Sequence, residues 1–192
     1  MSDPVGTTPE YFDTAWENSD DPWNHAGRFY EARKYDATVA LLDRPRFRRA
    51  FEPGCGTGLL TRRLADRCDA VEARDRHWRA VEVTRQRCAD KPGVNVDVGT
   101  LPDAWPAGTF DLIVMSEVLY YLPLLAVHDV IQQAALATEP DGLLVMVHYR
   151  PTVAEHVVSG DDVNDAIDYN AQWSVIGSYA DANFRLDLAL RR

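Results

Sequence analysis

The stretch Phe51-Glu52-Pro53-Gly54-Cys55-Gly56-Thr57-Gly58 sets glycines at alternate positions. It lies between a predicted strand, residues 50–52, and a predicted helix, residues 59–67. Glycines spaced this way let the backbone approach a ligand where any Cβ would clash. In parallel α/β sheets ligands sit at the carboxyl ends of the strands, and this loop marks such an end. The spacing G-x-G-x-G is one residue tighter than the dinucleotide fingerprint G-x-G-x-x-G. A phosphate loop is excluded as well, since no Lys or Ser follows the last glycine. Glu52 places a carboxylate at the end of the strand, a poor neighbour for a pyrophosphate and a good one for a cation.

Two further elements lie downstream of the loop. Asp75 ends the next predicted strand, residues 70–75, at 17 residues beyond Gly58. A carboxylate there can accept from both hydroxyls of a ribose. Its plainer reading is a cap for the helix that starts at Arg76, and Glu72 takes the ribose role if the strand ends earlier. The run from Phe110 to Met115 is nearly all apolar, as expected of a strand buried on both faces. It delivers Ser116 and Glu117 to the ligand-bearing edge, with Tyr120 and Tyr121 following.

Outward from these elements the pattern alternates. A helix is expected over residues 28–42, with apolar or aromatic Phe29, Tyr30, Tyr35, Val39 and Leu42 at three- and four-residue spacings. Pro45 ends it. A helix to residue 88, a strand over 94–98, a helix over 124–138 and a strand over 143–148 follow, the last entered through Asp141-Gly142. Strands alternating with helices predict an α/β fold, a mostly parallel sheet wrapped on both faces. The tail predicts a helix over 161–171 and strands over 173–179 and 184–190. The four residues between these strands allow only an antiparallel hairpin. Phe184, Leu186, Leu188 and Leu190 share one face of the last strand, and Arg185, Asp187 and Arg191 the other.

Composition bounds the function. The chain has 192 residues, 20 Lys+Arg against 30 Asp+Glu and a formal net charge of −10. That length suits one domain over residues 1–192, with an N-terminal lid or helix segment over 1–43 and a core over 44–192. The acidic balance argues against a nucleic-acid binder, which needs surplus cations to displace counterions. No apolar run approaches a membrane span, and no secretory signal is visible, so a cytoplasmic protein is expected. Cys55, Cys68 and Cys88 follow no zinc spacing, and neither a metal site nor a disulfide framework is expected. Charge is uneven: residues 44–91 carry 13 basic and 7 acidic side chains, and the segments on either side are acidic.

In order and spacing, the glycine loop, Asp75 and the run Ser116-Glu117-Val118-Leu119-Tyr120-Tyr121-Leu122 resemble a class I S-adenosylmethionine-dependent methyltransferase. Asp21-Pro22-Trp23 and Tyr30-Glu31 bring the resemblance nearest to the nodulation protein S group, N-methyltransferases of chitooligosaccharide amines. The resemblance implies a Rossmann-like, mostly parallel seven-stranded sheet with an antiparallel C-terminal hairpin. It implies S-adenosylmethionine as cofactor, leaving as S-adenosylhomocysteine, and a small-molecule methyl acceptor. Glu52, Gly54, Cys55, Gly56 and Gly58 would surround its methionine part, Asp75 its ribose, and Thr100 and Leu101 its adenine. Many members have Asp where this chain has Thr100. Ser116 joins that set, with Trp23 and Tyr30 as a lid over the cofactor or as packing for the first helix.

An amine must be neutral when it attacks, so a nearby base or a desolvating pocket helps. Glu117, Tyr120 and His148 are the expected catalytic residues, and residues 149–172 an acceptor-side cap. His25, His77 and His128 are expected at the surface or in packing roles. An acidic mouth would attract a cationic amine and repel anions. An O-methyltransferase, a non-catalytic S-adenosylmethionine-binding module and a nicotinamide dehydrogenase remain open alternatives.

Overall fold

The chain divides at residues 106–107 into two compact units, Pro9–Pro106 and Ala107–Arg192, the second joined by residues 7–8. The structure, a computed structural model, describes residues 7–192, and the first six residues of the expected lid segment lie outside the described residues.

The first unit begins with helix α1 (Pro9–Asn18), whose polar sequence buries Trp16 alone. That indole stacks on His77 at 6.0 Å and meets Trp23 edge-on at 5.8 Å, so aromatic contacts seat a helix with little apolar face. Helix α2 (Phe29–Leu41) forms where expected but turns a different face inward. Phe29 is 82% exposed, while Glu31 and Lys34 are buried and paired at 2.8 Å. The Lys34 ammonium lies over the rings of Tyr30 and Tyr35, so ion pair and π-faces together replace water. Strand β1 (Phe47–Pro53), helix α3 (Leu59–Ala65), strand β2 (Cys68–Asp75), helix α4 (Trp78–Arg87) and strand β3 (Val94–Val98) complete the unit. The strands are parallel in the order β3-β2-β1, each crossover being the helix predicted between them.

In the second unit, strand β4 (Phe110–Ser116) is buried at every position, as expected of its nearly all apolar run. Helix α5 (Leu124–Ala137) crosses to strand β5 (Thr138–Tyr149), parallel to β4. The Asp141-Gly142 turn lies inside β5 as an irregularity, with Asp141 at φ +61°. The helix expected over 161–171 is shorter, α6 (Gly160–Asp165) followed by a 3-10 turn (Ala166–Tyr169). Strands β6 (Trp173–Ala180) and β7 (Phe184–Arg191) form the expected antiparallel hairpin, and β7 also runs antiparallel to β5. Asp187, placed by alternation on the polar side of β7, is fully buried. It sits between β5 and β6, where both faces are covered, and Arg185, Ser178 and Asn164 satisfy it.

Seven strands form one mixed sheet, in the order β3-β2-β1 within the first unit and β4-β5-β7-β6 within the second. No helix among the described residues is long and apolar enough to cross a membrane.

Candidate functional site

The parallel register of β1 and β2 sets the glycine loop and Asp75 of the first unit level with each other. Pro53 pairs with Arg74, so both strands end level. The Arg74 carbonyl accepts from Gly54 N–H at 2.7 Å and Cys55 N–H at 3.0 Å, which turns the loop out of the sheet. Gly56 N–H then donates to Asp75 Oδ2 at 3.0 Å, and His77 N–H to Oδ1 at 3.0 Å. Each carboxylate oxygen holds one backbone donor and keeps a lone pair for another.

Gly54, Gly56 and Gly58 all have positive φ, +75°, +54° and +73°. Two of them differ in what a side chain would meet. At Gly56 the nearest atom is His25 Cε1 at 3.9 Å, so a Cβ would enter open space beside the loop. At Gly58 a Cβ would stand 2.9 Å from the Thr84 side chain, whose hydroxyl holds the Gly56 carbonyl at 2.9 Å. Gly58 is therefore required by packing against α4, and Gly56 by conformation and by close approach from outside. Gly56→Ala is expected to cost about 1–2 kcal/mol in urea denaturation from its left-handed backbone, with a larger proportionate loss in cofactor affinity. Gly58→Ala is expected to lower stability further, through overpacking.

Glu52 differs from its expected part as a standing negative charge. It is 2% exposed, and burial pushes its carboxyl up to about 8, against the neighbouring Thr61 hydroxyl and reinforced by Asp75. Near neutral pH the acid is mostly protonated, and its buried Oε2 finds no hydrogen-bond partner among the described residues. An unfolded glutamate ionises near 4.5 while the folded one keeps its proton toward 8. Folding stability therefore falls as pH rises through that window and levels above it. Glu52→Gln is expected to flatten this slope in urea denaturation at pH 5 and 8. The same burial raises the Cys55 thiol, with Asp75 and Glu52 adding to the effect, so Cys55 is packing rather than a nucleophile.

Trp23 stacks on His25 at 5.6 Å and its indole N–H donates to the Tyr11 hydroxyl at 3.4 Å. Asp21 accepts from the backbone N–H groups of His25 and Ala26, so Asp21-Pro22-Trp23 is a folded corner that sets His25 beside Gly56. Sequence reasoning assigned His25 a surface or packing role. Tyr30 lies half-buried at the start of α2 beside Lys34. Thr100 is exposed and its carbonyl accepts from Asp103 and Ala104 N–H, heading a turn whose Leu101 is buried. A cavity of about 560 Å³ opens past Asp75, lined by α1 residues, by Arg76 to Arg79 and by Val98. Neither Thr100 nor Leu101 lines it.

In the second unit the candidate residues rest on β4 and β5, whose register sets Ser116 opposite Val147. Ser116 is buried, and Glu117 leaves the strand at φ +59°, its N–H held by the Val147 carbonyl at 2.8 Å. A left-handed non-glycine residue is strained, and such strain collects at functional sites. The Tyr120 hydroxyl donates to Glu117 Oε2 at 2.7 Å. His156 stacks on the Tyr120 ring at 3.6 Å, and His148 meets it edge-on at 5.5 Å. His148 is fully enclosed, 0% exposed, with Nδ1 2.7 Å from Asn164 Oδ1. Arg150, which leaves the same strand, is tied to Asp161 at 2.9 Å. The structure thus brings Glu117, Tyr120, His148 and His156 together. Sequence reading missed Asn164, which lies 16 residues from His148 and 23 from Asp187 along the chain, and with it the burial of Asp187.

Among the described residues no group of three or more His, Cys, Asp or Glu is placed to hold a metal ion.

The family model of nodulation protein S (NodS) matches residues 15–161. A nodulation protein S of Sinorhizobium fredii is 30% identical over 129 residues, 66% of this chain and 60% of that one. One of Rhizobium tropici is 32% identical over 105 residues, 54% of this chain and 44% of that one. The chain thus spans about half of these relatives' length. Among solved structures, a candidate methyltransferase of Pseudomonas syringae is 41% identical, with TM-score 0.76, over 85% of this chain and 100% of that one. The N-methyltransferase NodS of Bradyrhizobium japonicum WM9, in complex with S-adenosyl-L-homocysteine, shares the fold. Its TM-score is 0.86 at 22% identity, over 96% of this chain and 98% of that one. With its glycine loop, its Asp75 and a family match over 147 of its 192 residues, the chain belongs to the nodulation protein S family.

Proposed function

We propose that this protein is an S-adenosylmethionine-dependent methyltransferase whose acceptor is a small amine, amino sugars included. The observation that carries the amine reading is the Tyr120–Glu117 hydrogen bond on a strained residue. The cofactor reading rests on the loop: Gly56 leaves room for a ligand to approach the backbone, and Asp75 keeps acceptor capacity on both oxygens. Gly54, Gly56 and Gly58 would hold the methionine part and Asp75 the ribose. Glu52 supports the loop from beneath as a buried acid, and Trp23 and His25 close over it.

When bound, the cofactor supplies an electrophilic methyl on a sulfonium. Glu117 does the work on the acceptor side. An amine nitrogen gains positive charge as its new bond forms, and a carboxylate fixed in place before reaction stabilises that charge without reorganising. Tyr120 fixes it by donating one hydrogen bond, and Glu117 accepts an acceptor N–H with its remaining lone pairs. A phenol or carboxylic acid acceptor loses positive charge demand and offers no second N–H to such a pair.

The test is methyl transfer from radiolabelled S-adenosylmethionine to a panel of amines, phenols and carboxylic acids, with de-N-acetylated chitooligosaccharides among the amines. Label in amines alone supports the reading, and label in phenols or acids alone overturns it.

A further inference from the structure

We infer that Asp187, Asn164 and His148 form a positioning chain that locks the His148 imidazole with its proton on Nδ1 and thereby holds Tyr120 against Glu117. The inference rests on the proposed role of Glu117, and goes beyond it to the residues that keep Glu117 and Tyr120 in register.

The chain starts from packing. Gly160, the first residue of α6, lies flat on β5: a Cβ there would stand 3.0 Å from His148 Cβ and closer still to the Tyr149 carbonyl oxygen. Only glycine lets the helix settle that close. Asn164 is four residues on, on the same helix face, and so is lowered beside His148. It is fully buried, as are His148 and Asp187.

The direction of the amide follows from its neighbours. Asn164 Nδ2 lies 2.7 Å from Asp187 Oδ2 and 3.5 Å from the Met146 carbonyl oxygen, both acceptors. Reversing the amide would set its oxygen against a carboxylate and a carbonyl, and bury three acceptors together. Asp187 is itself fixed by Arg185 Nε at 2.8 Å and by the Ser178 hydroxyl. The amide oxygen therefore faces His148 Nδ1 at 2.7 Å, and an acceptor there requires an N–H on Nδ1. One carboxylate on β7 thus sets the tautomer of a histidine on β5.

The Tyr120 ring is gripped between His148, at 72° to it, and the stacked face of His156. With the His148 ring pinned through Nδ1, that side is a fixed wall, and Tyr120 has one orientation in which its hydroxyl meets Glu117. A displacement of about an ångström in such a group is enough to cost on the order of a hundredfold in rate. His148 acts through Tyr120 and is a positioning residue.

The experiment is nitrogen-15 magnetic resonance on the full chain with labelled histidine, the His148 signals assigned through His148→Gln. In the wild type, Nδ1 is expected to carry the proton and Nε2 to show the shift of an unprotonated nitrogen. A proton on Nε2, or an even mixture, overturns the inference. Asn164→Ala and Asp187→Leu are expected to yield mixed tautomers and a 10–100-fold lower kcat on the amine found in the acceptor panel, with S-adenosylhomocysteine affinity within twofold of wild type. Ser178→Ala leaves the Asn164 contacts in place and is expected to keep the tautomer. Unchanged kcat alongside mixed tautomers overturns the positioning role. If the variants fail to fold, the wild-type spectrum still decides the tautomer. A locked Nδ1 proton in a protein that labels no amine leaves this chain standing and defeats the reading of Glu117.

Discussion

Asp75→Ala is expected to weaken S-adenosylhomocysteine binding by roughly 10²–10⁴-fold in titration calorimetry. A hydrogen bond to a charged group contributes about 1.5–3 kcal/mol, and the carboxylate has one acceptor position left on each oxygen for the two ribose hydroxyls. Asp75 also holds the Gly56 and His77 N–H groups, so the alanine variant loosens the loop as well as removing the acceptors. Asp75→Asn separates the two effects. It keeps one oxygen for a backbone N–H and sets an NH₂ against the other, and is expected to lose most of the affinity with a smaller loss of stability than alanine. Full affinity in both variants would reject the ribose role. The alternative acid, Glu72, is poorly placed to inherit it. It is bound to Arg49 at 3.0 Å and to Asn95 at 2.8 Å on the sheet surface, three residues before the end of β2.

The parts of this fold that could be read from the sequence are those where neighbouring residues carry the cause. Phe110 to Met115 reads as a strand buried on both faces from its own apolar residues, and β4 is buried throughout. The glycine loop is legible because a turn that needs positive φ admits few residues, and Asp75 because parallel strands of similar length end level. What escaped reading depends on partners that the local pattern does not contain. Alternation put Asp187 on a polar face, yet β5 and β6 flank it and Arg185, Ser178 and Asn164 neutralise it. Lys34 and Glu31 look solvated one at a time, and only as a pair between aromatic rings do they belong inside. His148 was placed at the right edge of the right strand, but no sequence signal tells that Gly160 lets α6 close over it. The charge imbalance followed the same rule. Most of the arginines of residues 44–91 are spent on nearby carboxylates, as in Arg62–Asp90 and Arg49–Glu72, and the basic segment is a set of local pairs.

Glu117→Gln is expected to lower kcat on an amine acceptor by about 10²–10⁴-fold, the usual contribution of a positioned acid or base. Affinity for S-adenosylhomocysteine is expected to stay within a fewfold of wild type. Glutamine is nearly isosteric, and its Oε1 can still accept from the Tyr120 hydroxyl, so the strained backbone at residue 117 and the Tyr120 ring keep their places. What is lost is a full negative charge, and its absence is felt only as the acceptor nitrogen becomes cationic. The loss therefore falls on kcat more than on KM, the mark of an interaction made chiefly in the transition state. Tyr120→Phe removes the donor and leaves the charge, so its expected loss is smaller, about tenfold, and comes from a carboxylate free to turn. A Glu117→Gln enzyme with unaltered kcat would mean that the acceptor reacts as a neutral amine without help from this residue. A loss confined to KM would make Glu117 a handle for the acceptor's ground-state charge. Only a fall in kcat that exceeds that of Tyr120→Phe fits a carboxylate acting on the developing cation, and the two variants measured together on one amine decide among these outcomes.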